Sequence, residues 1–180
     1  MTLLALLALA EPAPDAAREG PPQVEALVSP DDTKGLRATF LVRAPPDVVL
    51  ATLWDVKQFR KIFPDIQQLE VLDERSASLD VRFTVDAVLA KVRYTLRRDL
   101  DRDARSVRWQ SIDGDLKSVT GSWQVSATED PGVARVTYTS FVDVGYAVPT
   151  GLVRDTALQK VDQMAVRVRD ACRSALLARR

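Results

Sequence analysis

The sequence predicts an α+β domain: a curved, seven-stranded antiparallel sheet wrapped around a long C-terminal helix, with two short helices after the first strand. Three features of the 180-residue chain lead there. Apolar and polar residues alternate in short runs between residues 36 and 144, the period of half-buried strands. After residue 66 the links between these runs are short, which suits hairpins and leaves no room for crossover helices. The last segment, Leu152 to Leu177, switches to helical spacing and at 1.5 Å per residue reaches about 38 Å, the width of a small domain.

Each element has a local reason. Leu36 to Arg43 is the first strand, with Ala38, Phe40 and Val42 on one face; Ala44-Pro45-Pro46-Asp47 stops it and supplies an acidic helix start. Val48, Val49, Ala51, Leu53 and Trp54 fit one short helix, and Val56 to Phe63 a second, ended by Pro64. Ile66 to Leu72 opens the strand series. Next come Leu79, Val81, Phe83 and Val85 alternating with Asp80, Arg82, Thr84 and Asp86. Val92, Tyr94 and Leu96 alternate with Lys91, Arg93, Thr95 and Arg97. A charged turn, Asp99 to Arg105, leads to Val107, Trp109 and Ser111. Asp113-Gly114 predicts a hairpin turn before Val119, Gly121, Trp123 and Val125. Asp130-Pro131-Gly132 turns the chain into Val136 to Val144. In the final helix Val153, Ala157, Val161, Met164, Val168, Cys172 and Ala175 form the apolar stripe, with Arg154, Asp155, Lys160, Arg167, Arg169 and Arg173 mainly opposite.

Composition narrows function. Apolar residues make up 46% and charged residues 28%, an ordinary globular balance. Lys+Arg and Asp+Glu are 25 each, so no global basic field points to nucleic acid. There is no histidine, which removes the commonest general base, the Ser-His and Cys-His nucleophiles and every imidazole-ligated zinc site. The single Cys172 excludes an intrachain disulfide and falls on the apolar stripe, where it reads as a small buried hydrophobe. Asp99, Asp101 and Asp103 resemble a fragment of a calcium loop but lack its glycine and terminal glutamate, so they read as a solvated turn. Neither a metal nor a cofactor is expected.

The N-terminus divides from the domain. Leu3 to Ala10 is an apolar run ending in an A-x-A pattern, within the about 7–15 residues of a secretory signal core, although no Lys or Arg precedes it. Residues 1–10 are therefore a candidate signal peptide, 11–34 a proline-rich linker in which Val24 to Val28 offers one apolar stretch for docking, and 35–180 the domain. The expectation is a periplasmic or secreted protein, with a cytoplasmic one as the alternative.

The inward strand positions include Phe83, Tyr94, Trp109, Trp123 and Tyr138, while the covering helix presents mainly small residues. In a dry core the large rings fill the space the small residues leave. In a binding protein the curved sheet stands away from the helix and encloses a cavity with a few polar tips, such as the two phenols. Periodicity does not separate the two.

The local sequences resemble a known superfamily. Phe40-Leu41-Val42-Arg43-Ala44-Pro45-Pro46-Asp47-Val48-Val49, Trp54-Asp55 to Phe63-Pro64, Gly121-Ser122-Trp123 to Val136-Thr137-Tyr138, and Phe141 to Pro149-Thr150-Gly151-Leu152-Val153 are similar to its successive signatures. These are the signatures of the START / polyketide cyclase-dehydrase / SRPBCC helix-grip superfamily, which includes the pollen allergens, and the resemblance spans residues ~36–178. It implies an apolar cavity between sheet and helix that holds a lipid, sterol, quinone or polyketide-like molecule. The residues expected to line it are Phe83, Val85, Tyr94, Trp109, Trp123, Tyr138, Val161 and Met164, with a gate at Tyr146 to Val153.

The expected partner is thus a hydrophobic small molecule, bound without catalysis. The basic side of the last helix, ending at Arg173 and Arg179-Arg180, offers transient contact with an anionic membrane surface. Tyr94, Ser111, Tyr138 and Ser140 are the only inward polar groups, and a Tyr or Ser without a base is a poor catalyst at neutral pH. Asp80, Arg82, Asp86, Arg93 and Arg108 have the opposite parity and are expected in solvent. Two other readings stay open: a polyketide cyclase or dehydratase, and a structural or regulatory domain with a filled core.

Overall fold

The computed structural model describes residues 19–86, 91–145 and 150–179, and the side chains of all of these except 150–158. The candidate leader, the linker up to residue 18 and the gate residues 146–149 lie outside the described residues. The first strand comes from the segment read as linker. β1 (Gln23–Val28) runs antiparallel to β2 (Lys34–Val42), with Gln23 opposite Thr39 and Val28 opposite Lys34. Among the described residues the sheet therefore has eight strands, not the seven expected. The neighbouring prolines do not prevent this, because Pro21, Pro22 and Pro30 flank an edge strand and break no ladder bond within it. An exposed Arg37–Glu25 pair at 3.0 Å spans the two strands.

Beyond β2 come α1 (Pro46–Trp54), α2 (Val56–Ile62), β3 (Ile66–Arg75), β4 (Ser78–Asp86), β5 (Lys91–Asp101), β6 (Ser106–Gly114), β7 (Ser118–Ala127), β8 (Ala134–Asp143) and α3 (Thr150–Leu177). The spatial order is β1-β2-β8-β7-β6-β5-β4-β3, antiparallel throughout. Pro46 occupies the first turn of α1. The chain then breaks at Asp55, whose carboxylate caps α2 by accepting the Lys57 N–H at 2.9 Å.

Two turns differ from expectation because strands run on wherever a neighbour offers hydrogen bonds. β5 continues to Asp101, and the turn shrinks to 102–105, capped by the Asp101 carboxylate accepting the Ala104 N–H at 2.8 Å. Asp113-Gly114 is not the hairpin turn: both residues lie in β6, opposite Thr95 and Tyr94 beyond a bulge, and the turn is 115–117. Gly114 has φ +129°, and a Cβ there would collide with the backbone of Arg93 and Tyr94.

The core lies between one face of the sheet and the three helices. Val161, Met164, Ala165, Val168, Ala171 and Cys172 give α3 its buried stripe. Arg169, read as part of the solvated side, instead donates to the Leu41 carbonyl at 2.9 Å and the Gly20 carbonyl at 2.8 Å, tying α3 to the β2 edge. Asp80 is a second departure. It has the outward parity expected, yet is only 8% exposed, clasped by Arg97 at 2.8 Å and Arg75 at 2.9 Å. Hydrogen bonding from Arg97 outweighs burial and lowers its carboxyl below the usual range.

Candidate functional site: the inner face of the sheet

The inner face carries a continuous run of rings. Tyr94 packs on Phe83 (5.7 Å between centroids), Phe83 on Phe59 (5.9 Å) and Phe59 on Phe63 (5.5 Å). Phe63 continues it to Trp123 (6.5 Å), and Trp109, Trp123 and Tyr138 form a triangle with centroids 4.5–6.2 Å apart. Gly121 makes the triangle possible. It lies opposite Trp109 on the adjacent strand, and a Cβ there would strike the indole and the Thr139 carbonyl.

The eight residues expected to line a pocket divide into two groups. Phe83, Trp109, Trp123, Val161 and Met164 are buried in the core, whereas Val85, Tyr94 and Tyr138 pack against it and remain partly exposed. The division follows position along the strands. Toward the β7–β8 and β5–β6 turns the face is sealed by α1, α2 and the C-terminal half of α3. Toward the opposite end, where β4 and β8 finish, Val85, Val92, Tyr94 and Ser140 are partly exposed and Val142 is 44% exposed. At this open end the sheet presents apolar surface with two phenols.

Burial pushes the Tyr94 phenol well above its usual range, and neighbouring Tyr138 adds to the shift. Burial also raises Tyr138, with a hydrogen bond from Ser140 offsetting part of the rise. Both phenols therefore stay protonated at neutral pH and act as hydrogen-bonding groups rather than bases. Among the described residues the Tyr94 hydroxyl has no hydrogen-bond partner. Ser111, expected as an inward polar group, has a structural duty: its hydroxyl oxygen accepts the Val119 N–H at 2.9 Å.

Sequence reasoning missed three components. Phe59 and Phe63 reach the ring layer from α2, where the helical spacing of Val56, Phe59 and Phe63 carried the signal. Arg98 is the third. It is 1% exposed, continues the inward parity of Tyr94 and Leu96, and lies beyond the point where the strand was expected to end. Its guanidinium donates to the Leu53 carbonyl at 2.8 Å and the Trp54 carbonyl at 3.2 Å, with Phe59 4.1 Å and Trp54 5.1 Å away as cation–π partners. The charge thus rests on the C-terminal carbonyls of α1 rather than on a carboxylate. Burial pushes the guanidinium down to about 9, partly offset by Asp55, so it stays charged at neutral pH, and its Nε has no hydrogen-bond partner.

Cys172 is fully buried, its thiol pushed up to about 11 by burial, so it stays protonated. Among the described residues no group of three or more His, Cys, Asp or Glu is placed to hold a metal ion, and no described helix is long and apolar enough to cross a membrane.

A bent antiparallel sheet gripping one long helix over an apolar, aromatic inner face defines the helix-grip class of START-like domains. The chain belongs to the family described as polyketide cyclase / dehydrase and lipid transport, whose model matches residues 42–169. No curated protein matches it by sequence. Among solved structures it is similar to the STAR-related lipid transfer protein of Xanthomonas axonopodis (TM-score 0.70, 17% identity, 91% of this chain and 97% of that one). It is similar also to the Zhui aromatase/cyclase of Streptomyces sp. R1128 (0.63, 23%, 88% and 97%). The human StarD13 lipid transfer and protein localization domain matches at 0.67 with 15% identity, over 84% of each chain. At these identities the likeness is one of fold.

Proposed function

We propose that the protein binds a hydrophobic small molecule of the lipid, sterol or quinone class at the open end of its inner face and carries it without changing it chemically. The observation that carries this reading is the unequal burial of that face. Val85, Val92, Tyr94, Tyr138 and Val142 are apolar or aromatic, face the helix side and remain partly exposed among the described residues, whereas the same face is closed toward the other end. Such surface favours an apolar ligand, and two protonated phenols offer hydrogen bonds to a hydroxyl or carbonyl at its head. Lipid transfer by a similar fold supports the substrate class, and among the described residues no titratable base lies beside the phenols, which favours carriage over a cyclase mechanism. In this reading the apolar leader directs the domain out of the cytoplasm, which N-terminal sequencing of protein recovered from cell fractions tests.

One observation favours a second reading, a structural domain with a filled core. Trp109, Trp123 and Tyr138 are in direct ring contact and fill their part of the sheet–helix space. Native mass spectrometry of the purified protein, with solvent extraction of co-purifying molecules, separates the two. A lipid-like mass at fixed stoichiometry is the expected result. A protein that stays unliganded when offered lipid, sterol and quinone mixtures overturns the carrier and leaves the filled core.

A further inference from the structure

The groove between α2 and α3 holds two cations with no ion-pair partner among the described residues. Lys61 of α2 and Arg167 of α3 line a surface hollow of about 140 Å³, with Gln58, Asp170, Ala171 and Ser174. That is several times the roughly 30 Å³ share of one water. Arg167 is partly buried, yet neither it nor Lys61 has a hydrogen-bond or ion-pair partner among the described residues. The acid in the hollow is already engaged: Asp170 accepts from Arg173 at 2.9 Å. The Ser174 hydroxyl donates to the Asp170 carbonyl, and Gln58 donates one N–H to Asp55 at 3.2 Å, keeping a second free. The nearby Lys160 pairs with Asp65 at 2.7 Å.

The position of Lys61 in the last turn of α2 accounts for its sign, since a cation there suits the helix dipole. Arg167 has no such reason. It stands within α3, its i+3 acid is turned to another arginine, and it lines the same concavity as a second positive charge. Asp170 brings one negative charge to the hollow and shares it with Arg173, so the positive charges there still cost free energy unless a further anion lies between them. We propose that the hollow is an anion site that takes a phosphate group, either free or at the head of a phospholipid. The guanidinium matches two phosphate oxygens in its fork, the ammonium serves as a point charge, and the spare Gln58 N–H completes the set. A tetrahedral phosphate presents oxygens to both helices at once, whereas a planar carboxylate is satisfied by the guanidinium alone. The anion would link the two helices that cover the aromatic layer. The inference rests on these charges and not on the proposed cargo, so either can fail without the other.

A ligand held only by the folded chain raises its melting temperature. Thermal unfolding of the full chain in inorganic phosphate is compared with chloride at equal ionic strength. Co-sedimentation follows with phosphatidylcholine vesicles, with and without phosphatidylglycerol. The proteins are the wild type, Arg167→Gln, Lys61→Gln and, as a charge-matched change far from the hollow, Arg135→Gln at an exposed position of β8. A phosphate-specific rise of about 2–4 °C, lost in the first two variants and kept in the third, supports a site for free phosphate. No phosphate shift, with phosphatidylglycerol-dependent sedimentation that has the same variant pattern, supports the phospholipid headgroup. Absence of both effects, or their persistence in Arg167→Gln and Lys61→Gln, overturns the site. Their equal loss in Arg135→Gln does so too. In chloride alone the first two variants are expected to melt at or slightly above the wild-type temperature, because a repulsion has been removed. Melting several degrees lower marks the cations as structural contacts and overturns the assignment.

Discussion

The two ends of the inner face are built from the same kinds of residue and packed differently. At the sealed end, rings, aliphatic groups and one arginine are packed until almost no surface remains: Arg98, Trp123 and Val107 are each 1% exposed or less. At the open end, Tyr94, Tyr138 and Val142 share the same strand parity but stay partly exposed among the described residues. The sealed end spends its one buried charge on holding structure, since Arg98 fastens the end of α1 to β5. The open end keeps its polar groups neutral and, among the described residues, the Tyr94 hydroxyl without a hydrogen-bond partner. In the proposed reading, stability and ligand chemistry are thus separated along the strands of a single sheet, which turns the contrast into a matter of substitution.

The largest effect belongs to the sealed end. Arg98→Ala leaves a cavity and strips donors from the Leu53 and Trp54 carbonyls, so urea unfolding is expected to show a loss of about 3 kcal/mol or more. A loss below about 1 kcal/mol would mean that the carbonyls are served by water and that this end is not sealed. Gly121→Ala, at the junction of the two regions, drives a methyl into Trp109 and is expected to cost about 1–3 kcal/mol with a shift in tryptophan fluorescence. An unchanged spectrum would show the ring triangle to be loose enough to hold cargo.

The next two substitutions act at the open end. Tyr94→Phe and Tyr138→Phe leave the fold intact and weaken a ligand that uses the phenols by about tenfold each, near 1.4 kcal/mol. They also alter the alkaline limb of stability. The folded chain holds these phenolic protons above the ordinary pKa of about 10. The unfolded chain releases them there, so stability is full below about pH 10 and falls as pH rises toward the folded values. Melting curves from about pH 9 to 11.5 should fall less steeply for the double Phe variant than for the wild type. The smallest effect is expected at Val142→Ser, with stability changed by no more than about 0.5 kcal/mol but affinity for an apolar ligand reduced. Equal affinity would move the binding surface away from the end of β8.

The sequence made the architecture legible because period and punctuation are local. Alternation placed Phe83, Tyr94, Trp109, Trp123 and Tyr138 on one face, and all five meet there. The same reasoning lost Arg98 by ending β5 early at a run of charged residues, although the parity that placed Tyr94 and Leu96 also places Arg98. It lost β1 because prolines beside an edge strand look like a linker until a partner strand is known. It took Asp113-Gly114 for a turn because the dipeptide suits a bulged strand equally well, and the choice depends on Tyr94 lying opposite.

What the sequence alone determined is the class of the protein: the order of elements, which residues face inward, and the absence of histidine and of paired cysteines, all properties of single residues or of near neighbours. Only the tertiary structure decided which inward residues are sealed and which stay open. It also decided that Arg98 and Asp80 are buried charges with partners, and that Lys61 and Arg167 share one hollow without them. Burial and charge pairing are sums over residues distant in the chain, so no local pattern carries them; they exist once α1, α2 and α3 have come to rest on the sheet.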